Sequence, residues 1–415
     1  MFDVIEHTKL KKNNFTGCFK MKIMPVSMPK DINKYFFNRV KEINMINTQL
    51  STIKFDIPPQ LLITGYRGVG KTFLLKKILN DQSEEILTSF IDVSEIVGRQ
   101  KGNITEEEVL KGILNSIIET ISKDKTSYEK WINKITGYIK RLQLKNYEFQ
   151  GDANIMEIPI PVIHDNYDKL SKFVMELPQK IVDDSKEIKG FIIVIDEFQL
   201  LKNVKNPEAF FWLIRSFIQK QFNVGYVFTG SISKTSEIIN MINGQEGAFG
   251  GRLIQINIEP FTIDETHRYI EEKSNNLKFT DNGFERFYTC TRGIPLYINS
   301  LSSVLPNNII CDEEIIKQTL KFNIDQVAMM WIYVWGRLSD GEKDFIIYLL
   351  EHDGSKRSDL NKELGYAKSS ISRFIDSLSN KGIIEFNNEQ KFVLADKMLG
   401  LWLKIKYETN GFYPL

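Results

Sequence analysis

The sequence predicts an α/β protein: a parallel sheet flanked by helices, then a helical segment, then a small C-terminal winged helix-turn-helix. Three observations carry this expectation. Short apolar runs at Leu61-Leu62-Ile63, 90–93, 191–195, 224–229 and 253–258 alternate with stretches of helical spacing, as strands joined by crossover helices do. The run from Phe191 to Ile195 is apolar without interruption, which suits a strand covered on both faces. From Phe261 to Trp335 the spacing is helical only, and after Leu338 three short helices give way to two β-like runs split by Asn387-Asn388.

Taken in order, residues 1–35 form an N-terminal extension in which Phe19, Met21 and Ile23 alternate with Lys20 and Lys22 as a short strand would. Helical spacing runs from Lys34 to Leu50, and the Pro58-Pro59 break precedes the first apolar run. An amphipathic helix is expected from Lys71 to Asn80. Thr105 and Glu108 have the form of a capping box, ahead of a stripe of Val109, Leu110, Ile113, Leu114, Ile117, Ile118 and Ile121. Residues 123–190 read as an insertion, with a helix through Trp131, Ile135, Tyr138 and Leu142 and an extended Ile158-Pro-Ile-Pro161 stretch. The segment around Tyr147 to Val162 is either a partner-binding hairpin or a cover for the sheet edge. Another helix follows Pro207.

The resulting domains are 1–35, a core at 36–260, a helical lid at 261–337 and the winged module at 338–415. In the last, Asp340–Leu350 is the first helix, and Ser358 caps a second that buries Leu360 and Leu364 and ends at Gly365. The third, Lys368–Lys381, buries Ile371, Phe374, Ile375 and Leu378. Residues 383–386 and 391–394 make the wing.

Of 415 residues, 42% are apolar and 26% charged, as in a globular protein with ample core. Lysine and arginine number 54 against 53 acids, a net charge of +1 that excludes coating nucleic acid by charge alone. Cys18, Cys290 and Cys311 lie far apart and four scattered histidines lack metal-ligand spacing, so reduced thiols in a cytoplasmic protein are expected. The apolar runs are too short to span a membrane, and the first residues lack a secretory apolar segment.

Gly65-Tyr66-Arg67-Gly68-Val69-Gly70-Lys71-Thr72 satisfies G-x-x-x-x-G-K-[ST] between an apolar strand and a helix that continues with Phe73. Glycines let backbone N–H groups wrap phosphate oxygens, and the helix N-terminus favours their charge. Lys71 is then expected at the β- and γ-phosphates of ATP, and the Thr72 hydroxyl on Mg²⁺. Asp196-Glu197 ends the buried strand, so it should emerge at the same carboxyl edge of the sheet. There Asp196 would hold Mg²⁺ and Glu197 would activate water. A bare strand-ending acidic pair is the plainer alternative; the upstream glycine loop favours catalysis.

These residues resemble a P-loop ATPase of the AAA+/STAND group. Phe37-Asn38-Arg39 with Glu42 is similar to the lead-in of the archaeal-type ATPases, which implies a place near the adenosine for Arg39, unless it only pairs with Glu42. Thr229-Gly230-Ser231 ends the fourth strand where related ATPases carry a γ-phosphate sensor. Gly251-Arg252 stands where the family has a Gly-Arg pair and AAA+ proteins an arginine finger. Arg292-Gly293-Ile294-Pro295 resembles the GxP motif, which implies nucleotide contact by Pro295 and a lid cation in Arg292. The likeness spans about residues 36–405. It implies an ATPase switch with a helical lid, and it leaves open a homo-oligomer in which Arg252 acts in cis or in trans.

The third helix of the winged module would expose Ser369, Ser372, Arg373 and Asp376, with Lys368 and Lys381 at its ends. With so mixed a face, both a protein partner and DNA stay open. The rival reading is a DNA-binding initiator, loader or transcriptional regulator in which ATP mainly fixes conformation.

Overall fold

The computed structural model describes residues 25, 27–102, 104–122, 147–150, 160–163, 167–231, 237–274, 276–387 and 389–414. The expected strand at Phe19–Ile23, the helix through Trp131–Leu142 and Cys18 lie outside them.

The core strands are β1 (Gln60–Thr64), β2 (Ile86–Asp92), β5 (Gly190–Asp196), β6 (Val224–Thr229) and β7 (Ile254–Asn257), while β3 (Tyr147–Gln150) and β4 (Ile160–Ile163) form a separate antiparallel hairpin. The sheet order is β2-β5-β6-β1-β7, and all neighbours are parallel. Alternation along β5 divides its buried residues between two cores. Phe191, Ile193 and Ile195 pack with helices Glu106–Ile121 and Tyr167–Asp183. Ile192 and Val194 face Leu74, Leu75 and Ile78 of helix Lys71–Asn80.

Several boundaries move. The second strand starts at Ile86 and stops at Asp92, because the Asp92 carboxylate accepts from Ser94 N and starts a helix at Val93. The lead-in is two helices, Ile32–Tyr35 and Val40–Ser51, since Asn38 and Arg39 take left-handed backbone (φ 56° and 63°) between them. Helix Tyr167–Asp183, with Pro178 inside it, occupies the second half of the expected insertion.

The C-terminal half opens with the helices expected to form the lid, among them Ile263–Lys273, Asp281–Thr291, Pro295–Val304 and Met329–Trp335, with a short parallel pair β8 (Lys278–Phe279) and β9 (Ile310–Cys311). Helices Asp340–Glu351, Arg357–Glu363 and Lys368–Asn380 follow, then an antiparallel hairpin of β10 (Ile384–Phe386) and β11 (Phe392–Leu394). Ser355 adds a bridge to Phe392, so the order and pairing fit the winged helix-turn-helix. Ser358 does not cap the second helix: that helix begins at Arg357 with Lys356 at the cap. A closing helix, Lys397–Asn410, capped by Asp396, was not legible in the sequence. One apolar core runs from Phe261 in the lid to Ile405 in this last helix. Among the described residues, no helix is long and apolar enough to cross a membrane, and Cys290 and Cys311 are free.

Candidate nucleotide site

Register fixes where the strands deliver their last residues. Ile63 pairs with Thr229, and Thr229 with Asp196, so the loop after β1 and the acidic end of β5 share one edge of the sheet. Gly65, Gly68 and Gly70 all have positive φ, and Gly70 leads directly into helix Lys71–Asn80.

Lys71 is only 5% exposed. Its ammonium donates to Gly65 O (2.9 Å), Tyr66 O (3.0 Å) and Ser231 Oγ (3.0 Å). Burial pushes its pKa down to about 8, against the pull of the Glu197 and Asp196 carboxylates. Thr72 Oγ1 donates to Asp196 Oδ2 at 2.7 Å, and Glu197 N donates to Asp196 Oδ1 at 2.9 Å. Burial raises the Asp196 carboxyl to about 6, partly offset by the Thr72 bond. Glu197 follows in left-handed backbone (φ 53°) and accepts a hydrogen bond from Gln199 Nε2. Thr229 Oγ1 is buried with no partner beside Asp196. A hydroxyl and a carboxylate in contact at the phosphate end of the sheet are hard oxygen donors that fit Mg²⁺.

The cleft over this group is lined by Arg67, Gly68, Gly70, Lys71, Thr72, Phe73, Glu197 and Ser231 from the core, and by Tyr269, Pro295, Leu296 and Asn299 from the lid. Leu296 N donates to Gly68 O (3.2 Å), which ties the first turn of a lid helix to the glycine loop. Pro25, Ser27, Met28, Pro29 and Tyr35 close the cleft from the N-terminal side. Asn299 links the two parts: its amide donates to Pro25 O (2.7 Å) and its oxygen accepts from Tyr269 OH (2.9 Å).

The other expected residues sit elsewhere. Arg39 is buried behind the loop and donates to Glu42 Oε1 (3.0 Å), Glu259 O (2.7 Å) and Val69 O (3.2 Å). Its guanidinium lies 4.5 Å from the Phe261 ring centroid. Arg39 therefore clamps the glycine loop to the exit of β7 and is not among the residues lining the cleft. Arg252 is exposed in the turn before β7. Since Ile254 pairs with Leu61, Arg252 lies about 16 Å from the Thr64 end at roughly 3.3 Å per residue, on the opposite edge of the sheet. Arg292 lines a neighbouring cavity with Tyr66, Tyr297 and Asp396, not the phosphate cleft. Gly293 is forced by contact: with φ +69°, an added Cβ would stand 1.8 Å from Phe261 O.

Sequence reasoning missed Gln199, Tyr269, Asn299 and the role of Ser231. Only Ser231 had a local signal, as the neighbour of Thr229-Gly230.

The fold has known relatives. The Walker-type ATPase paby2304 of Pyrococcus abyssi superposes with a TM-score of 0.61 at 18% identity, covering 91% of this chain and 98% of that one. The ORC2 protein of Aeropyrum pernix, in ADPNP-ADP complexes, gives 0.50 at 11% identity, covering 92% and 98%. Both likenesses are of fold. No curated protein matches the sequence. The family described as an ATPase domain predominantly from Archaea matches residues 36–301. With a Walker-type loop, an acidic strand end on the same edge and a family match over more than half its length, the chain belongs to that archaeal-type ATPase family.

Proposed function

We propose that the protein is a cytoplasmic ATP-hydrolysing switch in which the nucleotide sets the docking of the C-terminal winged module. The observation that carries this reading is a double contact at Lys71. Its ammonium holds Tyr66 O and Ser231 Oγ, and the winged module rests on those same two residues. The turn at Gly382 lies against Ser231, where an added Cβ would come 3.1 Å from Ser231 O. On the wing, Glu385 accepts a hydrogen bond from Tyr66, whose phenol is raised in pKa by burial and by that carboxylate. Helix Lys368–Asn380 also packs on helix Glu237–Asn243 of the core.

In the proposed cycle, the backbone N–H groups of 65–72 and the helix N-terminus take the phosphates. The Lys71 ammonium turns from its carbonyls to the β- and γ-phosphate oxygens, and Tyr66 and Ser231 lose the bonds that support the docked wing. Thr72 and Asp196 would hold Mg²⁺, which when bound neutralises charge on the phosphates. Glu197 orients a water and takes its proton as the water oxygen attacks the γ-phosphorus and the bond to ADP breaks. Arg39 keeps the loop in shape from behind. Arg252 is exposed and does not line its own cleft, so its proposed contact with a γ-phosphate is one supplied by a second copy of the chain.

Docked and released states then differ in what the third helix offers. Its exposed Lys368, Ser369, Arg373 and Asp376 mix charge signs, which favours a protein partner; DNA binding would instead appear as steeply salt-dependent duplex affinity.

Nucleotide affinity and phosphate release by the wild type, Lys71→Ala and Glu197→Gln test the reading. Lys71→Ala should lose nucleotide, whereas Glu197→Gln should bind it and turn over about 100- to 10,000-fold more slowly. Equal turnover in all three would remove the mechanism.

A further inference from the structure

Gln199 lies in the short 3-10 turn Phe198–Asn203 behind β5, 6% exposed. Its amide nitrogen donates to Glu197 Oε2, and its oxygen is buried without a partner. The opposite amide orientation would set that oxygen against a carboxylate, so the donor assignment follows from charge. Room for the side chain comes from β6: a Cβ on Gly230 would stand 2.1 Å from Gln199 Oε1. One residue earlier, Thr229 Oγ1 is the second orphaned oxygen of the same strand end.

The amide addresses a specific electrostatic problem. Glu197 stabilises the charged form of Lys71 through space, yet among the described residues no ion pair joins them. A carboxylate that closed onto the ammonium would be unavailable to water and would compete with phosphate for Lys71. A neutral donor restrains the carboxylate without neutralising it, and that donor stands two residues on, in the turn that Glu197 opens in left-handed backbone.

We propose that Gln199, seated against Gly230, is the positioning residue for Glu197: its N–H holds the carboxylate over the cleft and off the Lys71 ammonium. The inference rests on the reading of Glu197 as the group that activates water.

The test compares the full-length wild type with Gln199→Met, Gly230→Ala, Glu197→Gln and the double variant Gln199→Met/Glu197→Gln. Each is measured for kcat, KM, ADP affinity and Tm. Gln199→Met keeps length and removes the donor, so kcat should fall about 10- to 100-fold, as for lost supporting shells elsewhere, with KM, ADP affinity and Tm near wild type. Gly230→Ala, which displaces the amide, should give the same split. The double variant should be no slower than Glu197→Gln alone, because both changes act through one carboxylate. A kcat for Gln199→Met within twofold of wild type, or a double variant slower by the product of the two effects, would overturn the proposal while leaving Glu197 in place. Wild-type turnover by Glu197→Gln would overturn the underlying reading, and this inference with it.

Discussion

At Lys71 two opposing demands meet in one ammonium: burial disfavours its charge, and three oxygens within 3.0 Å retain it. Those acceptors are two loop carbonyls and one hydroxyl, none of them anionic, so a triphosphate outcompetes them once it enters. The same close fit governs Gly293, whose Cα faces Phe261 O. Gly293→Ala should lower stability by about 3 kcal/mol or more, from backbone strain together with overlap, measurable by denaturant unfolding; a loss under 0.5 kcal/mol would contradict the contact. The meeting of Lys71, Thr72, Asp196 and Glu197 at one edge of the sheet was legible because each stands in a motif of fixed spacing. Gln199 and Asn299 were not, because their partners, Gly230 and Tyr269, become neighbours only after folding. Arg39 was half legible: its pairing with Glu42 is local, while its bond to Val69 O crosses 30 residues.

Among the elements, the winged module shows how one carboxylate joins two helices. Glu342, in the first turn of Asp340–Glu351, completes a capping box with Ser339 and accepts from Ser377 Oγ (2.6 Å) and Lys381 Nζ (2.7 Å) at the end of the third helix. Lys381, expected to flank a partner-facing surface, is thus engaged inside the module. Burial alone would raise the Glu342 pKa, but the bonds from Lys381, Ser377 and Ser339 win and hold it at about 2. Its folded pKa lies below the unfolded value near 4.5, so the unfolded chain binds more protons as pH falls between these values. Stability from this group is present above the upper value and is lost toward the lower one. Thermal melts from pH 5 to pH 2 should show a steeper loss for wild type than for Glu342→Gln; parallel curves would contradict the assignment. Helix and strand types here followed from periodicity. The missed helix Lys397–Asn410 begins after Asp396, whose carboxylate caps it through Met398 N, just past the apolar wing strand.

Across the whole molecule, the lid and the winged module form one body while the α/β layers form another. Tyr297, two residues beyond Pro295 in the cleft, donates to Asp396 Oδ2 (2.5 Å) and accepts from Trp331 Nε1 (2.6 Å). That buried chain joins two lid helices to the cap of the last helix, within a core continuous from Phe261 to Ile405. These contacts tie the GxP turn to the winged module through a continuous buried core. At the far edge of the sheet, Arg252 is exposed just before β7, and a role in trans is the proposal to be tested. Arg252→Ala mixed with Lys71→Ala should regain phosphate release, since one intact cleft then meets one intact arginine; no gain on mixing would remove the trans role. The central claim, that phosphate capture of Lys71 releases the wing, is tested most directly by a distance across the joint. Spin labels at exposed Glu208 of the core and Lys362 of the winged module report it in the Glu197→Gln background, with and without ATP. The account predicts a longer or broader distance distribution when ATP binds, and, with Lys71→Ala added, a distribution already lengthened without ATP and unmoved by it. An unchanged distribution in the ATP-bound Glu197→Gln protein would contradict it.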